Sequence, residues 1–226
     1  LCNVSRDKGC QAMAAKKQNC MIIGASPIES DAIFQEFSPK DSFVICADAG
    51  YETAVKYGIT PDLIVGDFDS VKTLPQKSAK VLTLPVEKDV TDTMFAVMKG
   101  LTMGFRSFVL LGCLGGPRFD HSLANLEVLQ FLRMHSAQGI IADSTTKIFL
   151  LSDGRLRLTD MKGATVSVFP YGCVSCNVSY KGLLYPLNHE TLSSGGTLMG
   201  VSNSVVDDAA EIRVHMGTAL VVVYQP

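Results

Sequence analysis

The chain has 226 residues and a mass of 24.3 kDa, the size of one large domain or two modest ones. Its 47% hydrophobic and 19% charged content is enough to build a core and excludes a disordered chain. With 20 Lys and Arg against 22 Asp and Glu, the net charge of −2 offers no electrostatic case for nucleic acid or an anionic membrane surface.

The leading stretch, residues 1–19, carries Arg6, Lys8, Lys16 and Lys17 but no apolar run of signal-peptide type, and reads as a flexible extension. From residue 20 to 143, short apolar runs alternate with helical stretches. Met21–Ala25, Phe43–Ala47, Leu63–Gly66, Val81–Leu84 and Phe108–Leu111 are apolar throughout, as expected of strands buried on both faces of a parallel sheet. Helices are predicted over Tyr51–Tyr57, Thr91–Lys99 and Asp120–His135, the last two stopped by Gly100 and Gly139. Such alternation predicts a doubly wound α/β domain.

From residue 144 to 226 the pattern changes. Leu156–Thr159, Thr165–Val168 and Ile212–His215 alternate polar and apolar residues, with turn clusters at Ser152–Gly154, Lys162–Gly163, Pro170–Gly172 and Ser194–Gly196. Period two with frequent turns predicts a smaller antiparallel β-sandwich or barrel. Runs such as Ala219–Tyr224 are strand-sized and far too short for a bilayer, which needs about 20 apolar residues. The 7 cysteines are scattered, and Cys173 with Cys176 forms one CxxC without the second pair a zinc site needs. They read as reduced thiols in a cytoplasmic protein.

The chemistry gathers in the aspartates. Asp48 follows the second strand, Asp67 and Asp69 the third, Asp89 and Asp92 the fourth, and Asp120 the fifth. Parallel strands share one C-terminal edge, where ligands of such sheets bind. Carboxylates converging there call for a cation, and hard oxygen donors suit Mg²⁺ bound together with substrate phosphates. Gly112–His121 joins a strand to a helix, a setting that favours an anion, with Arg118 and Lys88 as further phosphate donors. No GxxxxGK[ST] string is present, which excludes a Walker-type loop. In the β region, Tyr185, Ser202 and Asn203 could orient a small polar heterocycle.

Several blocks together resemble the thiamine pyrophosphokinase family: Ala47–Gly50, Pro61–Ser70 (PDLIVGDFDS), Lys88–Thr93, Gly115–His121 with Asn125, Gly182–Leu187 and Gly200–Asn203. The resemblance implies an α/β catalytic domain, a β-sandwich thiamine-binding domain and a homodimer with active sites at the subunit interface. It implies transfer of the pyrophosphoryl group of ATP to the hydroxyl of thiamine, giving thiamine diphosphate and AMP with Mg²⁺. On matching positions it assigns Asp67, Asp69 and Asp92 to the metal, with Asp48 and Asp89 beside them, and Asp69, Asp89 and Asp92 to catalysis. Asp48, Lys88, Arg118, Asp120, His121 and Asn125 go to nucleotide and phosphates, and Ser202, Asn203 and Tyr185 to thiamine. Ala49 stands where the family's motif has glycine, Pro117 separates the Gly-Gly pair from Arg118, and Ser204 follows the Ser-Asn pair in place of an acidic residue. A Mg²⁺-dependent phosphohydrolase, and a thiamine- or nucleotide-binding regulator without catalysis, remain the alternative readings.

Overall fold

The computed structural model describes residues 17–66, 80–83 and 89–225. Six strands run parallel: β1 (Asn19–Ile23), β2 (Ser42–Ala47), β3 (Leu63–Gly66), β4 (Val81–Thr83), β5 (Ser107–Leu111) and β6 (Gln138–Ala142). Their order in space is β6-β5-β1-β2-β3-β4, so the chain reverses direction across the sheet between β1 and β5.

Side chains alternate between the two faces, and both faces are covered. Cys20 and Ile22 of β1 pack with Ala96 and Val97 of α3 (Asp92–Thr102) and with Val128, Leu129 and Leu132 of α4 (Phe119–Met134). Met21 and Ile23 pack on the other side with Ile33 of α1 (Ala32–Glu36) and with Tyr51 and Ala54 of α2 (Gly50–Lys56). For β1, β2, β3 and β5, burial on both faces is why the sequence lacks alternation, while β4 at the sheet edge stays largely exposed.

The apolar runs located β1 to β5 to within two residues. α1 and β6 escaped the pattern. Gly139 lies inside β6 rather than ending a helix: a Cβ there would come 2.6 Å from Leu132 Cδ1. The helix ends at Met134, where Ser136 takes a left-handed φ of 53° and Ala137 N–H bonds to Leu132 C=O at 2.9 Å. A glycine required for close helix–sheet approach resembles a stop signal when seen as text.

Beyond β6 the same sheet continues with antiparallel pairing. β7 (Thr146–Ser152), β14 (Thr218–Tyr224), β9 (Thr165–Pro170) and β12 (Gly200–Ser204) extend it to 10 strands. A second sheet of 4 strands, in the order β11 (Leu187–Ser193), β10 (Ser175–Lys181), β13 (Ala209–Met216) and β8 (Arg155–Thr159), lies against it. Between the layers, Val166 and Val168 meet Val178, Ile212, Val214, Val221 and Val223. The result is an α/β domain followed by a β-sandwich, as the change in periodicity predicts. Among the described residues, no helix is long and apolar enough to cross a membrane.

Candidate active site

The C-terminal ends of β1 and β5 meet at the reversal point. Gly24 N–H bonds to Leu111 C=O at 2.8 Å, and Ser26 N–H to Gly112 C=O at 2.9 Å. A Cβ on Gly24 would lie 2.5 Å from the Gly112 carbonyl oxygen, so only glycine permits this approach. The loop that follows turns through left-handed glycines at 112, 115 and 116 before α4 begins. Ser26 Oγ donates to Gly115 C=O at 3.2 Å, Gly115 N–H donates to Ser122 Oγ at 3.1 Å, and Asn125 Nδ2 donates to Cys113 C=O at 2.8 Å. A cleft of about 280 Å³ opens beside it, lined by Pro27, Ile28, Glu29, Gly115, Gly116 and Asp143.

The acidic groups approach this edge from the other side. Asp48 follows β2 with φ of 48°, and its N–H bonds to Val65 C=O at 2.8 Å. A Cβ on Gly66, the residue before Asp67, would sit 3.1 Å from Asp48 Cα. Asp92 opens α3, where Thr91 caps the helix by accepting the Met94 N–H at 3.2 Å. The first turn of α3 reaches the reversal point, since Thr93 and Gly24 both bond to Cys113. Burial pushes the Cys113 thiol up to about 12, so it is an inert apolar wall rather than a nucleophile. Asp89 is exposed, 2 residues ahead of the cap. Asp67, Asp69 and Lys88 lie outside the described residues, and among those described no cluster of three metal-ligating side chains occurs.

Asp62, from the same PDLIVGDFDS block, has a different task. Its carboxylate accepts the Val44 N–H at 2.8 Å and pairs with Lys17 at 2.8 Å, tying β2 to β3 at the opposite end of the strands.

At the start of α4, Arg118 makes a two-pronged pair with Asp120, Nε to Oδ1 at 3.0 Å and Nη2 to Oδ2 at 2.6 Å. That hydrogen bonding holds the Asp120 carboxyl down to about 2. Both side chains are exposed, so the fork can exchange its carboxylate for a phosphate at little cost. His121, on the first turn of α4, is exposed beside them.

In the sandwich, Asn203 is buried and grips the neighbouring loop. Its Oδ1 accepts from the Tyr185 N–H and the Ser204 N–H, both at 3.0 Å, and its Nδ2 donates to Tyr185 C=O at 2.8 Å. Tyr185 is thereby held 64% exposed, and Leu184, Met199 and Val201 are exposed as well. Ser202 is exposed at φ 58°, its N–H on Ser167 Oγ at 3.1 Å. Sequence reasoning placed Asn203 at substrate and missed this grip; a Ser-Asn pair in a turn-like string carries no signal of where its amide points.

These two groups are not brought together within one chain. β12 and β2 stand seven strand spacings apart, about 34 Å across the sheet. Ser202 and Tyr185 therefore cannot share a small ligand with Asp48 of the same subunit.

The halves of the chain match two sequence models in the same order. "Thiamin pyrophosphokinase, catalytic domain" matches residues 34–141, and "Thiamin pyrophosphokinase, vitamin B1 binding domain" matches residues 155–221. The chain belongs to the thiamin pyrophosphokinase family. Among curated relatives, Thiamine pyrophosphokinase 1 of Oryza sativa subsp. japonica is 27% identical over 70% of this chain and 64% of its own length. Thiamine pyrophosphokinase of Bacillus subtilis is 25% identical over 82% of this chain and 89% of its own. The chain thus spans just under two thirds of the rice protein and most of the bacterial one. The crystal structure of thiamine pyrophosphokinase from Bacillus subtilis shares the fold with a TM-score of 0.79, at 22% identity over 92% of this chain and 99% of that one. Thiamin pyrophosphokinase from Candida albicans does so with a TM-score of 0.75, at 15% identity over 92% of this chain and 90% of that one.

Proposed function

We propose that this chain is an ATP:thiamine diphosphotransferase, moving the pyrophosphoryl group of ATP to the hydroxyl of thiamine and releasing AMP. Supporting this is the convergence, at one sheet edge, of Asp48, the first turn of α3 with Asp92, and the glycine loop leading into α4. Such transfer asks the protein mainly to align in-line groups and neutralise phosphate charge.

The donors at that edge are carboxylates, whose hard oxygens suit Mg²⁺ better than a thiol- or imidazole-seeking metal. Asp67, Asp69 and Asp92 would hold it, and when bound it would neutralise the charge of the transferred phosphates. Lys88, Arg118, Asp120 and His121 serve the nucleotide, with Arg118 leaving Asp120 to meet phosphate. Asn125 supports the loop backbone at Cys113, and Asp48 closes the acidic side. Asp89 or Asp92 accepts the thiamine hydroxyl proton.

Thiamine rests on the surface presented by Tyr185 and Ser202, with Asn203 holding that surface in place. Because one subunit separates this surface from its own aspartates by the width of seven strands, two subunits complete each site. The exposed apolar group of Leu184, Leu198, Met199 and Val201 around it supports a homodimer interface there. The functional division falls near residue 143, where Asp143 Oδ1 receives the Thr145 and Thr146 N–H groups and turns the chain from β6 into β7. Free thiols at all 5 described cysteines support residence in a reducing cytoplasm.

The decisive experiment incubates the protein with ATP, Mg²⁺ and thiamine and separates the products chromatographically. AMP and thiamine diphosphate, with AMP formed only when thiamine is present, support the proposal. ADP, or inorganic phosphate released without thiamine, overturns it.

A further inference from the structure

The outer face of the 4-stranded sheet carries a group of side chains that the proposed reaction does not use. Arg213 of β13 lies directly opposite Ser179 of β10 on one side and Arg155 of β8 on the other. Like charges facing each other across strands destabilise a sheet unless something sits between them. Next along β13, Glu211 absorbs Arg157, Nε to Oε2 at 3.2 Å, and stands 3.9 Å from Arg155. Among the described residues, Arg213 has no ion-pair partner.

Two histidines complete the group. The His189 and His215 rings stack at 3.9 Å with 24° between their planes. His189 sits where β10–β11 pairing breaks register, at a left-handed φ of 53° that costs a non-glycine residue about 1 kcal/mol. Side chains hold it there. Its N–H donates to Ser179 Oγ at 2.9 Å, its C=O accepts from Asn177 Nδ2 at 2.8 Å, and Ser179 Oγ in turn bonds His215 Nε2 at 2.8 Å. With Nε2 engaged, Nδ1 of His215 is the nitrogen left to meet a ligand. A cleft of about 410 Å³ lies on this face, lined by Asp153, Gly154, Arg155, Arg213, Val214 and His215.

We propose that this cleft is a second anion site, in which Arg213, Arg155 and His215 take the phosphate group of a small phosphorylated molecule. Two guanidinium forks beside an imidazole suit a tetrahedral oxyanion, which offers several acceptors at once. The cleft is on the sandwich, on β8 and β13 of the 4-stranded sheet, whereas Tyr185 lies in the loop between β10 and β11 and is tied by Asn203 to β12 of the other sheet. Partial burial, then His189 and Arg213, hold the His215 imidazole below the ordinary histidine range. The charged groups around it are Arg155, Arg157, Lys181 and Arg213, against Asp153 and Glu211. An anion in the cleft reverses that balance and draws a proton onto His215.

The chain's 4 histidines make the test direct. The full chain is titrated with inorganic pyrophosphate, free of nucleotide, thiamine and Mg²⁺ and at constant ionic strength, while the imidazole proton resonances are followed by NMR. His121 reports on the start of α4 and His135 on its end, while His189 and His215 report on the outer face. Saturable movement of the His189 and His215 signals, an upward shift of the His215 titration midpoint, and about tenfold weaker binding there in Arg213→Gln are expected. Arg155→Gln, on the exposed strand β8, gives the same weakening if Arg213→Gln does not fold. Movement of His121 alone, no saturable response, or wild-type binding in a folded variant overturns the proposal. Because no turnover is measured, the result stands apart from whether the proposed reaction occurs.

Discussion

Two buried asparagines, one in each domain, fasten a loop, and they do so differently. Asn125 gives a single amide bond to the Cys113 carbonyl, behind a loop whose glycines at 112, 115 and 116 all take positive φ. Asn203 makes three bonds around Tyr185 and Ser204. The first loop presents backbone through its glycines, which suits the phosphate role proposed for it. The second is a fixed platform for a ring. In the terms proposed above, the α/β edge supplies chemistry and the sandwich supplies position.

The largest expected effect tests the chemical side of that contrast. Asp69→Asn should lower kcat at least about 100-fold in the ATP and thiamine assay while circular dichroism and thermal melting stay unchanged. Near-normal turnover by the folded variant would remove Asp69 from the mechanism. On the positional side, Asn203→Ala leaves the Tyr185 N–H and C=O without their partner and should cost about 1–2 kcal/mol in denaturant unfolding. It should raise KM for thiamine about tenfold with kcat changed far less; an equal loss in kcat would place Asn203 in the chemistry. Asn125→Ala, with one bond at stake, should be milder in stability, about 1 kcal/mol, and should act on KM for ATP.

A smaller effect concerns the Arg118 fork. Its hydrogen bonds depress the Asp120 carboxyl from 3.8 to about 2. A depressed carboxylate stabilises the folded state above its unfolded value and loses that contribution as pH falls through its folded one, here between about 4 and 2. Both groups are exposed, so the contribution is small and the pair stays intact from pH 5 to 8. Carboxyl carbon NMR should place the Asp120 midpoint near 2 and return it toward 3.8 in Arg118→Gln; an unchanged midpoint would dissolve the pair. The smallest effect is on thiol reactivity. Cys20, Cys46 and Cys113, each pushed up to about 12 by burial, should resist alkylation at pH 8, whereas partly exposed Cys173 should label first of the described cysteines by mass spectrometry.

Much of this was legible in the sequence, and the reasons differ by element. The continuous apolar strands and the capped helix at Asp92 declare themselves because burial on both faces and helix entry leave local marks. The sequence reading of Asp48, Asp92 and the glycine loop as neighbours followed from one rule, that parallel strands share an edge, and the described strands obey it. Asp62 shows the limit of that rule: immediately before Leu63 its carboxylate braces the other end of the strands, although it belongs to the same acidic block. The order of residues therefore determined the element types and the two-domain pattern. Periodicity and turn chemistry act over a few residues, and these features need nothing more. Tertiary structure alone decided that Gly139 lies within a strand, that Asn203 faces a backbone rather than open space, and that Arg213 stands opposite Arg155. It also decided that β12, which carries Ser202, lies seven strand spacings from β2, which leads into Asp48. Each of those depends on which segments lie side by side, and pairing between residues distant in sequence is set by packing of the whole chain, not by any local string.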